Sequence, residues 1–142
     1  MNSEMQSSDY WEEIELDSRL VNQTLDHAIK DIETAKKMDL EECDWAYAIA
    51  YNGLLQAGRA LMYLNKVRPK GQAKHYAIVE FLRKNYLDNL DLKEGINYLD
   101  RSRRKRHLVV YEQRGIISEE EVSYLIAVAE KFISRIKKII KG

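Results

Sequence analysis

The chain has 142 residues, of which 45% are hydrophobic and 32% charged, so it suits one globular domain and does not resemble a wholly disordered chain. One proline and six glycines leave little material for the many turns of an all-β fold. The single cysteine, Cys43, excludes an internal disulfide, and no stretch approaches the ~20 apolar residues of a membrane span. We therefore expect a helical, cytoplasmic protein without a membrane segment.

The net charge of zero hides an uneven distribution along the chain. Residues 1–18 contain six acidic side chains and no lysine or arginine, so the remainder of the chain carries a charge of +6. An acidic leader on a basic domain is either a solvated tail or a cover for a cationic surface, and we favour the tail. We predict a frayed leader over residues 1–16, from which Tyr10 and Trp11 are able to pack back, and a helical domain over 17–142.

The first two helices are predicted from helical spacing of apolar residues. The first runs from about Asp17 to Met38, and Asp39 with Glu42 forms a capping pair that opens the second, from about Leu40 to Leu64. Along the second helix, small residues recur every three or four positions and predict close approach of another helix backbone: Ala46, Ala50, Gly53, Ala57 and Ala60. This helix is expected to be central to the fold or buried in an oligomer interface.

Three more helices follow a break at 65–71, where Pro69 disfavours helix at the residue before it. They are predicted from about Gln72 to Tyr86, from a capping pair at Asp91 and Glu94 to about Gln113, and from a capping box at Ser118 and Glu121 to about residue 140. No periodic segment predicts a strand. The fold class is therefore all-α, an up-and-down bundle of about five helices in which four long ones form the core.

Ordinary enzyme motifs are absent from the sequence. The three histidines lie far apart, so neither a metal site nor a cofactor is predicted, and the glycines form no phosphate-binding loop. What remains is a cationic run in the fourth helix, in which five of the six residues from Arg101 to Arg106 are basic.

On a helix, the cations of this run point in several directions. Arg103, Arg106 and His107 fall near the apolar stripe, whereas Arg101, Arg104 and Lys105 point elsewhere. Either acidic side chains from neighbouring helices meet the inward-facing cations, or this face lines a groove open to an anion. The run is then either a solvated basic turn that the helix dipole favours or a phosphate-contacting surface, most plausibly for RNA.

Three segments stand out when taken in order: an Ala/Tyr-rich stretch over residues 50–61, a Val-Arg-Pro-Lys turn over 67–70, and Lys74-His75-Tyr76-Ala77. Together they resemble the HEPN (higher eukaryote and prokaryote nucleotide-binding) domain family. The similarity continues through the basic helix and the acidic start of the last helix, over roughly residues 17–140. It implies a helical bundle that is usually a homodimer, and a function in RNA cleavage or RNA binding. A small nucleotidyltransferase encoded beside it, acting as an antitoxin, is often its partner.

Active members of the family carry an Arg and a His separated by four to six intervening residues, in a site composed across the dimer. Two placements fit here: Arg101 with His107, or Arg106 with Tyr111 at the His position. The resemblance implies metal-independent chemistry in which the His assists proton transfer and the Arg stabilises the charged phosphate. Arg103, Arg104 and Lys105 would then bind the nucleic acid.

The predicted function is that of an RNA-directed protein, either a toxin-type endoribonuclease or an RNA-binding relative that has lost cleavage. The alternative is a non-catalytic dimeric module that holds a small nucleotidyltransferase or binds a nucleotide. Tyr111 argues against cleavage in the second placement, because a phenol with a pKa near 10 is a poor base at neutral pH.

Overall fold

The computed structural model describes residues 9–38, 40–112 and 114–142. Five α-helices lie within these residues, so the all-α bundle is confirmed. Their bounds are α1 Ser18–Lys37, α2 Cys43–Leu64, α3 Lys74–Tyr86, α4 Leu90–His107 and α5 Glu119–Lys141. A 3₁₀ turn, Leu40–Glu42, precedes α2, and a π-helical turn, Leu108–Glu112, continues α4.

Helix α2 is the centre of the bundle and contacts all four other helices. Its stripe of small residues is buried, as the spacing predicted. At Gly53, an added Cβ would lie 2.9 Å from Ile32 Cδ1 and 3.1 Å from the Ala28 carbonyl oxygen, so α1 and α2 approach each other too closely for a larger residue. The prediction that small residues admit a neighbouring backbone is therefore confirmed for α1.

The helix caps follow the predictions in part. Ser118 Oγ accepts a hydrogen bond from the Glu121 backbone N–H at 3.2 Å, which confirms Ser118 as the cap of α5. The cap predicted at Asp91 is wrong, because Asn89 Oδ1 accepts from the backbone N–H groups of Asp91 and Leu92 and starts α4 earlier. The cap predicted at Asp39 lies outside the described residues.

A two-stranded antiparallel sheet corrects the prediction that the chain has no strand. Strand β1, Trp11–Glu13, pairs with β2, Val67–Pro69, and Glu12 lies opposite Arg68. Arg68 Nε donates to Glu12 Oε1 at 2.7 Å across the pair. The prediction of a frayed leader is therefore wrong for the three residues of β1. Residues 1–8 of that leader lie outside the described part of the chain.

Trp11 ties this sheet to the helices. The side chain is 1% exposed, its ring meets Phe81 of α3 edge-on at 5.6 Å between centroids, and Lys84 Nζ lies 5.5 Å from the ring centroid. Burial of an indole contributes several kcal/mol, so β1 belongs to the hydrophobic core.

Candidate functional site

Helix α4 carries the predicted site, and its buried residues set the direction of every cation on it. The residues that face the core are Leu92, Gly95, Ile96, Tyr98, Leu99 and Ser102. Successive side chains on an α-helix are rotated by about 100° about its axis. The members of the basic run therefore fall on both flanks of this buried face and on the outer surface of the helix. Each flank meets a different neighbour.

The flank toward α5 holds Arg101 and Lys105. The Arg101 guanidinium lies over the Tyr98 ring, 5.6 Å from its centroid. Lys105 Nζ forms an ion pair with Glu121 of α5. The Lys105–Glu121 ion pair joins α4 to α5, whereas the Arg101–Tyr98 contact lies within α4.

The opposite flank holds Arg103 and Arg106, beside α2 and α3. Their charges, after burial as the larger cause, hold the pKa of His75 at about 4, well below its ordinary value of 6.5. Arg103 is exposed and Arg106 half-buried. Neither forms an ion pair with a carboxylate among the described residues. The first alternative, in which acidic side chains of neighbouring helices meet these cations, is therefore not found among the described residues, and a surface open to an anion stays a prediction.

His107 and Tyr111 lie together at the end of the basic run. Their ring centroids are 4.9 Å apart across the start of the π-helical turn, and both side chains are exposed. Arg103 precedes His107 by four residues and so lies one helical turn away on the same side of α4. Arg104 is exposed on the outer surface. These side chains form an open stripe that consists of Arg103, His107 and Tyr111 and is flanked by Arg104.

The two predicted Arg partners lie on other sides of the helix. Arg101 lies over Tyr98, toward α5, and Arg106 acts on the α2 and α3 side, where it lowers the pKa of His75. Within one chain, the contacts therefore bring His107 to Tyr111 and bring neither Arg101 nor Arg106 to either ring.

A buried polar network under this surface was not predicted. Tyr51 of α2 donates its hydroxyl proton to the Leu99 carbonyl oxygen of α4 at 2.8 Å, and His75 Nε2 of α3 lies 3.0 Å from the same hydroxyl. Since Tyr51 has one proton to give, its oxygen accepts from His75 Nε2–H. Burial also raises the pKa of Tyr51, which keeps the phenol neutral. Three helices thus meet at one fixed hydrogen-bonded point beneath Arg103 and Arg106.

A comparison with known families decides which one the chain belongs to. A family model, that of the HEPN domain, matches residues 21–139, nearly the whole chain. The chain belongs to the HEPN family. No curated protein and no solved structure matches it.

Membership confirms the resemblance and supports a nucleotide- or RNA-related function; HEPN domains also commonly dimerise. The matched range contains α4 with its basic run and the Tyr51–His75 network, whereas β1 lies before it. Strand β1 with its Trp11 anchor therefore lies outside the matched range.

The described residues also bear on metal binding and on membrane insertion. Among residues 9–38, 40–112 and 114–142, no cluster of three His, Cys, Asp or Glu side chains is arranged to hold a metal ion. None of the helices described combines the length and the apolar character that crossing a bilayer requires.

Proposed function

We propose that this HEPN protein binds RNA through α4, with Arg103 and Arg104 contacting backbone phosphates. The observation that carries the proposal is the solvent-exposed stripe in which these two arginines flank His107 and Tyr111 without a carboxylate partner among the residues described. An arginine held in an ion pair must break it before binding a phosphate, whereas these two need not. Guanidinium groups also bind phosphate oxygens in a bidentate manner.

A titration of labelled single-stranded RNA, followed by fluorescence anisotropy over a series of salt concentrations, tests this proposal. The double variant Arg103→Ala/Arg104→Ala should weaken binding and reduce the slope of log K against log salt by about 0.7 for each lost phosphate contact. The matched control is Arg19→Ala/Lys30→Ala, which removes two exposed cations of α1, a helix packed on α2 and α5. Equal slopes for the two double variants would contradict the α4 surface.

The contact between His107 and Tyr111 favours cleavage as a second candidate. In a metal-independent reaction, His107 takes the proton of the 2′-hydroxyl as its oxygen bonds to the adjacent phosphorus. The bond from phosphorus to the 5′-oxygen then breaks, and that oxygen gains a proton. The products are a 2′,3′-cyclic phosphate and a 5′-hydroxyl. An arginine stabilises the charged phosphate, and we propose that Arg101 or Arg106 of a second protomer serves in a composite homodimer site.

An RNA-cleavage assay in the presence of EDTA separates binding from cleavage. We expect His107→Ala to abolish formation of the cyclic phosphate while RNA binding persists, and Tyr111→Phe, which keeps the ring contact, to change the rate little. Cleavage that survives the loss of both side chains would contradict this assignment. Binding by the wild type without cleavage would identify an RNA-binding relative that has lost activity.

The partner predictions are tested on the same protein. Light scattering measures whether it is a homodimer. Co-purification with a small nucleotidyltransferase encoded in a neighbouring reading frame would support the toxin–antitoxin assignment. Calorimetric titration with free nucleotides tests the alternative of a nucleotide-binding module.

A further inference from the structure

A cavity of about 260 Å³ lies between α3 and α4, next to the proposed phosphate surface. Helix α3 contributes His75, Tyr76, Val79 and Glu80 to its lining, and α4 contributes Leu99, Asp100 and Arg103. Arg103 therefore borders both the cavity and the exposed stripe of α4. A phosphate held by Arg103 would place the rest of its nucleotide at the mouth of this cavity.

The charged groups of the cavity differ in whether they are already engaged. Asp100 is paired with Arg83 NH1 at 2.7 Å. Arg103 and Glu80 form no ion pair within the part of the chain that the structure describes. One unpaired guanidinium and one unpaired carboxylate thus line the same space. A ligand that fits both has an anionic group and, separately, hydrogen-bond donors.

The wall between these charges is aromatic and neutral. The His75 ring stacks on Tyr51 at 5.8 Å between centroids and 11° between planes, and its low pKa keeps it uncharged at neutral pH. Tyr76 lies one helical turn before Glu80 on the same face of α3 and is 41% exposed. Its ring meets that of Tyr10 edge-on at 4.9 Å, which holds it in place beside the cavity. Preordered aromatic rings of this kind stack on nucleobases.

We propose that this cavity is a nucleobase subsite, in which Tyr76 stacks on the base, Glu80 accepts hydrogen bonds from its edge, and Arg103 binds the attached phosphate. The inference rests on the proposed RNA function and names the base class that the site selects. Guanine presents two adjacent donors, N1–H and the 2-amino group, to a single carboxylate. Uracil presents one N–H, which lies between two carbonyl oxygens. Because these oxygens carry partial negative charge, a carboxylate placed opposite the N–H is repelled by them. The subsite should therefore prefer guanine and reject uracil.

Two measurements on the intact protein test this subsite. The first compares a six-nucleotide oligouridylate with the same oligomer carrying one central guanosine, by fluorescence anisotropy. The second measures guanosine and uridine monophosphates by calorimetry, which reports on the cavity whether or not longer RNA binds. The variants are Tyr76→Ala, Tyr76→Phe and Glu80→Gln, with Glu33→Gln, an exposed carboxylate of α1, as the matched control. Thermal unfolding of each variant checks that it folds.

We expect the guanosine ligands to bind more tightly than the uridine ligands. Tyr76→Ala should weaken guanosine binding about 10-fold, which lies within the range expected for the loss of one base–aromatic stack. Tyr76→Phe keeps the ring and should retain the affinity for guanosine. Glu80→Gln should remove most of the preference for guanine, and Glu33→Gln should keep it.

Each failure has a different meaning. Equal affinity for guanosine and uridine ligands, or guanosine binding that Tyr76→Ala leaves unchanged, would overturn the subsite while RNA binding through Arg103 and Arg104 stands. The protein could instead bind guanosine monophosphate in a manner that depends on Tyr76 and yet bind no RNA oligomer. That result would support the subsite and overturn the RNA-binding proposal.

Discussion

Replacing His75 by glutamine should make the protein less sensitive to acid. In the folded chain this imidazole is buried beside two guanidinium groups and has a pKa of about 4, against an ordinary value of 6.5. Between these two pH values, the unfolded chain binds a proton at His75 that the folded chain excludes. The contribution of the neutral His75 to the free energy of unfolding is therefore fully present above pH 6.5 and is lost as the pH falls toward 4.

The magnitude follows from the size of this window. About 2.5 pH units at about 1.4 kcal/mol each set an upper limit of about 3.5 kcal/mol. Because the His75 side chain keeps some solvent exposure, we expect a measured loss of about 1–3 kcal/mol in the free energy of unfolding. Glutamine retains an N–H donor for the Tyr51 hydroxyl and has no proton to titrate, so His75→Gln lacks this loss.

Urea unfolding followed by circular dichroism at pH 7 and pH 4.5 measures the difference. The wild type should lose more stability between the two pH values than His75→Gln does. Tyr51→Phe serves as the control, since it breaks the hydrogen bond to His75 and leaves the imidazole titratable, so its loss should follow that of the wild type. Parallel losses for the wild type and His75→Gln would refute the reasoning.

Three stability predictions concern packing and caps, and urea unfolding measures all of them. Trp11→Ala empties a site that is 1% exposed and should cost about 3–5 kcal/mol, whereas Leu16→Ala, at a side chain 48% exposed, should change little. Gly95→Ala would place a Cβ against the Phe132 ring and should cost about 1–3 kcal/mol; equal stability to the wild type would contradict this close packing. Ser118→Ala removes the cap of α5 and should cost about 1 kcal/mol, so an unchanged free energy of unfolding would argue against the cap.

Features that depend on neighbouring residues in the sequence were predicted well. The cap at Ser118 and the backbone N–H that it accepts from are three residues apart, and the small residues of α2 lie one turn apart, so local spacing is enough to find both. Hydrophobic periodicity likewise placed the five helices to within a few residues. The cap of α4 was misplaced because Asn89 and Asp91 are both suitable caps, two positions apart, and only backbone geometry distinguishes them.

Features that join distant segments were missed. Glu12 and Arg68 pair across 56 residues, and strands of three residues are too short to show a period. The Tyr51–His75 network has no local signature either, because its members come from three helices. His75 stood in the segment that resembles the HEPN family, but nothing in that segment shows that its imidazole is buried.

The sequence by itself determined the helices and the existence of a dense basic run in α4. Spacing along a helix also determined the angle between any two side chains of that run. Tertiary structure decided which partner each of these side chains has. Glu121 of α5 pairs with Lys105, whereas the residues described on α2 and α3 present no carboxylate that pairs with Arg103. The physical reason is that a side chain's direction is a property of its own helix, while its partner is a property of the helix packed beside it.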